Sequence, residues 1–160
     1  MRAFVMGGGE PHRGRGRLHP GTAGLEPRLD MSRLSEGADL PPRDEPGKNQ
    51  RSVLIVEDDV DLLSVLEFGL TAQGLEPVWT ATDGEGAITA LVTHRPDYLL
   101  LDYKLPRVNG EVVAVAASRL LPRTKIVVYS GELSSRPLWA DAFLLKPNVE
   151  GVLNYFRENC

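Results

Sequence analysis

Apolar residues in this chain alternate between two patterns. Compact apolar runs occupy Ser52–Val56, Tyr98–Leu101, Lys125–Tyr129 and Ala142–Leu145, with a further brief one at Val78–Ala81. Short runs of this kind, several rich in β-branched residues, predict strands buried on both faces. Between them the period lengthens. Leu62, Leu63, Leu66 and Leu70 recur at helical spacing, and Gly74 is placed to stop that helix. Thr82 and Glu85 have capping-box spacing ahead of Ala87, Ile88 and Leu91, and Pro96 ends the segment. Val112, Val113, Ala116 and Leu120 predict another helix, closed by Pro122. Val149, Val152, Leu153 and Phe156 sit at i, i+3, i+4 and i+7, an amphipathic helix at the end of the chain. Residues 132–141, which include Pro137 and Trp139, follow neither period.

Alternating strands and helices predict an α/β fold, a doubly wound parallel sheet covered on both faces. Ligands of such open sheets bind at the carboxyl ends of the strands. Four apolar strands here end in polar side chains: Glu57 and Asp58, Asp102, Ser130, and Lys146. Three carboxylates brought into one cleft repel one another, and a hard divalent cation such as Mg²⁺ relieves the repulsion. A metal-binding acid cluster with one lysine and one hydroxyl suits phosphoryl transfer, because cations and hydrogen-bond donors neutralise the transferred oxygens. Asp102 stands alone at its strand end, facing the acid pair, and is the candidate nucleophile for an acyl phosphate. Asp59 is expected to cap the following helix.

Composition divides the chain. Residues 1–50 hold 9 of the 16 glycines and 6 of the 12 prolines, with 8 Lys+Arg against 7 Asp+Glu. Such a segment buries too little apolar area to offset its conformational entropy, so a disordered N-terminal tail is expected there. Residues 51–160 carry 10 Lys+Arg and 15 Asp+Glu and are numerous enough for one hydrophobic core. A net charge of −4 over the chain argues against a protein that mainly clamps nucleic acid. There is no apolar run of membrane-spanning length and no secretory signal pattern, and the only cysteine is Cys160. A reducing cytoplasmic setting is the expectation.

The ordered set Val53–Asp59 (VLIVEDD), Leu99–Pro106 (LLLDYKLP) with Gly110, Ile126–Gly131 (IVVYSG) and Phe143–Pro147 (FLLKP) resembles the receiver domain of two-component response regulators. The resemblance covers residues 51–160. It implies a flavodoxin-like, CheY-like fold, with five parallel strands in the order 2-1-3-4-5. Asp102 would accept a phosphoryl group from a histidine kinase or histidine phosphotransfer protein. Asp58, Glu57, Asp102 and the backbone carbonyl of Lys104 would hold Mg²⁺. Ser130 and Lys146 would contact the phosphoryl oxygens, with a cis bond before Pro147. Ser130 and Phe143 would be the switch residues.

Lys146 follows Ser130 by only 16 positions, several fewer than in a typical receiver, so the helix between these strands should be very short or replaced by a loop. Trp139 is expected to fill the gap. The chain ends just after its last helix, which implies a single-domain regulator without a DNA-binding domain. It would act on an unknown downstream protein, with homodimerisation left open. Tyr103, Lys104 and Glu132 would rim the site, and a Lys104–Glu132 ion pair across its mouth would slow hydrolysis of the acyl phosphate. Rival readings are a degenerate receiver that binds partners without phosphorylation, a phosphate sink, and an Asp-nucleophile phosphatase. The last is disfavoured because Lys104 stands where such enzymes place a second acid.

Overall fold

The structure is a computed structural model, and it describes residues 50–160. The expected tail over residues 1–50 therefore lies, apart from Gln50, outside the described residues. The elements run β1 (Val53–Val56), α1 (Val60–Ala72), β2 (Val78–Ala81), α2 (Gly84–His94), β3 (Tyr98–Leu101), α3 (Gly110–Leu120), β4 (Lys125–Ser130), β5 (Ala142–Leu145) and α4 (Val149–Asn159). All strand pairs are parallel, in the order β2-β1-β3-β4-β5. The expected doubly wound architecture is borne out.

Alternate residues of each strand point to opposite faces of the sheet. On one face Leu54, Val56, Leu99, Leu101, Ile126 and Val128 pack with Ala87 and Leu91 of α2 and Val113 and Ala117 of α3. On the other, Val53, Ile55, Leu100, Val127 and Tyr129 pack with Leu63, Leu66 and Leu70 of α1 and Val152 and Phe156 of α4. β1 and β3 lie wholly buried between these layers, which is why they read as continuous apolar runs.

Helix starts follow side-chain chemistry. Asp59 caps α1, accepting from the backbone N–H of Asp61 and Leu62, as expected. α2 is capped by Asp83 rather than Thr82, because the Asp83 carboxylate reaches the Gly86 N–H at 2.8 Å and also pairs with Arg107 at 2.8 Å. Asn109 caps α3, and Gly110 opens the helix. A Cβ on Gly110 would lie 2.5 Å from the Asp102 carbonyl oxygen, so only glycine permits this approach of α3 to β3.

No helix joins β4 to β5. Residues 131–141 form a loop, and Leu133, Trp139 and Ala140 pack against the α2/α3 face of the core. Trp139 thus fills part of the space that a helix would take. The cover is incomplete: Leu145 at the end of β5 is 56% exposed and Leu138 in the loop is fully exposed.

Candidate functional site

Parallel register brings the strand ends together. Val56 of β1 is level with Leu101 of β3, Leu101 with Val128 of β4, and Val128 with Phe143 of β5. The ladder continues one step beyond the strands. Asp102 N–H donates to the Val56 carbonyl at 2.9 Å and Glu57 N–H to that of Ala81 at 3.1 Å. Lys146 N–H donates to the Ser130 carbonyl at 3.2 Å. Glu57, Asp102, Ser130 and Lys146 therefore start from fixed backbone at one edge of the sheet.

Carboxylate oxygens of Glu57, Asp58 and Asp102 lie within 4.8 Å of one another. Glu57 and Asp102 are buried and Asp58 is exposed, so the cluster opens to solvent on one side. The Lys146 ammonium lies 2.6 Å from Glu57 Oε2 and 2.8 Å from Asp102 Oδ2. Burial holds the Glu57 carboxyl above its usual range, against the lowering effect of Lys146 and of the Asp59 N–H. Burial also opposes the charge on Lys146, but its hydrogen bonds to Asp102 and Glu57 outweigh that and raise its pKa. The donor set is all oxygen and partly buried, with a solvent-facing side, and it fits a hard divalent cation such as Mg²⁺.

The Lys104 N–H donates to Asp102 Oδ1 at 3.2 Å, which orients the carboxylate. The Lys104 side chain swings outward to Glu132 Oε1 at 3.1 Å, with both side chains largely exposed. Ser130 is fully buried, and its Oγ accepts from the Glu132 N–H at 3.1 Å. Phe143 and Tyr103 are half-buried against the α2/α3 face of the core. The Lys146–Pro147 bond is cis, as the resemblance implied; Glu76–Pro77 is cis as well.

Two features escaped the sequence reading. Tyr129 lies under the lysine, with the Lys146 ammonium 5.5 Å from its ring centroid. Its only signal was an aromatic residue next to Ser130 inside an apolar run. Arg107, at φ +64°, ties the loop after β3 to the cap of α2. That pairing joins residues 24 apart and has no local signature.

Residues 53–153 match the family described as the response regulator receiver domain, and the chain belongs to that family. Among curated relatives it is 35% identical over 109 residues to the transcriptional regulatory protein PrrA of Mycobacterium tuberculosis, covering 64% of this chain and 46% of PrrA. It is 33% identical over 102 residues to the transcriptional regulatory protein PdtaR of the same species, covering 61% and 50%. The chain thus spans about half the length of these relatives. Among solved structures, a CheY-like receiver domain protein from Methanospirillum hungatei superposes with a TM-score of 0.61 at 26% identity, covering 69% of this chain and 93% of that one. TrrA from Thermotoga maritima, solved in complex with Mg²⁺-BeF, shares the fold with a TM-score of 0.63 at 23% identity, covering 69% and 100%. Among the described residues, no helix is long and apolar enough to cross a membrane.

Proposed function

We propose that this protein is a phosphorylation-controlled response regulator whose phosphoacceptor is Asp102. The observation that carries the reading is the convergence of Asp102 with two further carboxylates and the Lys146 ammonium at the carboxyl edge of the sheet. An Asp102 carboxylate oxygen attacks the phosphorus of a phosphohistidine, supplied by a histidine kinase or a histidine phosphotransfer protein. The P–N bond breaks, an acyl phosphate forms, and the departing imidazole nitrogen takes up a proton. Glu57, Asp58, Asp102 and the Lys104 carbonyl would hold Mg²⁺, which supplies charge neutralisation at the transferred group when bound. Lys146 and the Ser130 hydroxyl bind the remaining phosphoryl oxygens.

The phosphoryl group shifts the balance between two conformations. Ser130 gives up its contact with the Glu132 N–H as it turns to a phosphoryl oxygen, and Phe143 on the neighbouring strand repacks. Output passes to a downstream protein in the cytoplasm, and the receiver turns over no external substrate. Residues 51–160 form that module.

Intact mass after incubation with acetyl phosphate tests the reading, with Mg²⁺ or with chelator, on wild type and Asp102→Ala. One phosphoryl adduct, lost with chelator and in the variant, is expected. No adduct under any condition overturns the proposal in favour of a receiver that binds partners without phosphorylation.

A further inference from the structure

We infer that Tyr129 is a positioning residue for Lys146, its ring face serving as a support for the ammonium that makes no demand on the acid cluster. The inference rests on the phosphoacceptor reading above and deepens it.

An ammonium carries three N–H donors. Two neighbours of Lys146 are the carboxylates of Glu57 and Asp102, at 2.6 and 2.8 Å. Both also belong to the set proposed to hold the divalent cation, so their oxygens face competing tasks. The third neighbour is the Tyr129 ring, whose centroid lies 5.5 Å away, inside the range in which an aromatic face attracts a cation. A π-face binds the ammonium but offers no carboxylate oxygen to a metal, so this contact persists when the acids turn to another partner.

The two members of the contact differ in freedom. Lys146 follows β5 on a flexible four-carbon stem and must choose one direction among many. Tyr129 lies near the carboxyl end of β4, held between β3 and β5, 1% exposed and packed with the residues of α1 and α4. Burial raises the pKa of its phenol, so the ring stays neutral and the contact is that of a cation with a π-face.

The hydroxyl does not account for the residue. Tyr129 Oη is buried and has no hydrogen-bond partner among the described residues. An unpaired buried hydroxyl destabilises a fold, so phenylalanine would serve packing at least as well. What the position supplies to the site is the ring.

Two measurements test this. The first is the rate of adduct formation from acetyl phosphate with Mg²⁺, for wild type, Tyr129→Phe, Tyr129→Leu, and a series carrying phenylalanine with one, two and three ring fluorines at 129. The second needs no metal: the NMR shifts of the Lys146 ε-methylene protons, which a ring face moves upfield. The Tyr129→Phe variant should react within about two-fold of wild type, and Tyr129→Leu about five- to thirty-fold more slowly. Rates should fall stepwise with each fluorine, which empties the π-face while keeping shape. The upfield shift should be kept in Tyr129→Phe and lost in Tyr129→Leu. A rate for Tyr129→Leu within two-fold of wild type, or a flat fluorine series, overturns the inference, and the fluorine series still decides if Tyr129→Leu fails to fold. If wild type forms no adduct, the phosphoacceptor reading is what fails. The proton shifts then still report whether the ring holds the ammonium, and their absence in wild type would overturn the inference itself.

Discussion

Replacing Lys146 by methionine removes the charge that sits between two buried acids while keeping most of the side-chain volume. In the wild type the Glu57 and Asp102 side chains are 2% and 7% exposed, and the ammonium contacts both. Without it, three carboxylates remain with oxygens inside 4.8 Å. Two unit charges at that separation repel by roughly 3.5 kcal/mol at an effective dielectric constant near 20. Breaking a buried ion pair from one side costs about 3–5 kcal/mol, so a loss of about 3 kcal/mol at pH 7.5 is expected for Lys146→Met. The loss should depend on pH. The Glu57 carboxyl is already raised by burial, and removing the cation that lowers it raises it further. A carboxyl raised in the folded state binds its proton more tightly there than in the unfolded chain. The variant is therefore penalised as pH rises through the folded-state value and recovers as pH falls below it. Urea denaturation at pH 5.5 and 7.5, with and without Mg²⁺, reads all of this. The gap to wild type should narrow at pH 5.5, and Mg²⁺ should stabilise the variant more than the wild type, because the cation replaces the missing charge. A loss below about 1 kcal/mol at pH 7.5, or one equal at both pH values, would refute the reasoning.

Other substitutions probe separate parts of the structure. Lys104→Ala should speed loss of the phosphoryl group by opening the mouth spanned by the Lys104–Glu132 pair. It should leave stability within about 0.5 kcal/mol, since exposed pairs contribute little. Equal decay rates of the two phosphoproteins would remove any gating role for the pair. Gly110→Ala puts a methyl group against the Asp102 and Tyr103 backbone and should cost about 2 kcal/mol or more, together with slower adduct formation. An unchanged denaturation midpoint would mean that α3 can back away freely. Leu145→Glu should change stability by no more than about 0.5 kcal/mol, because Leu145 is 56% exposed and, among the described residues, no helix covers that end of β5. A large loss on denaturation would show that something packs there.

Much of the fold was legible because each strand is a closed apolar block and each helix a periodic one. Val78–Ala81, Tyr98–Leu101 and Ala142–Leu145 are bounded as the pattern predicts, and β4 runs one residue further, to Ser130. The loop between β4 and β5 was one of two expected outcomes, a very short helix being the other, because Lys146 follows Ser130 by only 16 positions, several fewer than in a typical receiver. Misreadings arose where a distant part of the chain decides. Asp83 rather than Thr82 caps α2 in a setting where Arg107 also pulls on its carboxylate, a contact that local spacing does not encode. Nothing local marks Gly110 for the close approach of α3 to the Asp102 backbone. Among the site residues, the strand-end acids and Lys146 could be read as sharing one edge of a parallel sheet. Which of them pair depends on sheet order and side-chain reach, so the contacts of Lys146 with both acids, and with Tyr129 beneath it, emerge only in three dimensions.

Both outer strands of the sheet are four residues long, and each is bounded by a proline: Pro77 immediately before β2 and Pro147 two residues after β5. Proline carries no backbone N–H, so a foreign strand laid along β5 would find no donor at Pro147 where it tried to extend, whereas Pro77 turns inward, its carbonyl accepting from the Val53 N–H at 3.1 Å. Short, proline-bounded margins are a defence against uncontrolled edge-to-edge growth. The defence has most to do beside β5, where the missing helix leaves Leu145 in water. Dispensing with that helix thus removes a shield from an apolar corner of the molecule, while the brevity of the strand and the proline that follows it work against edge-to-edge pairing there.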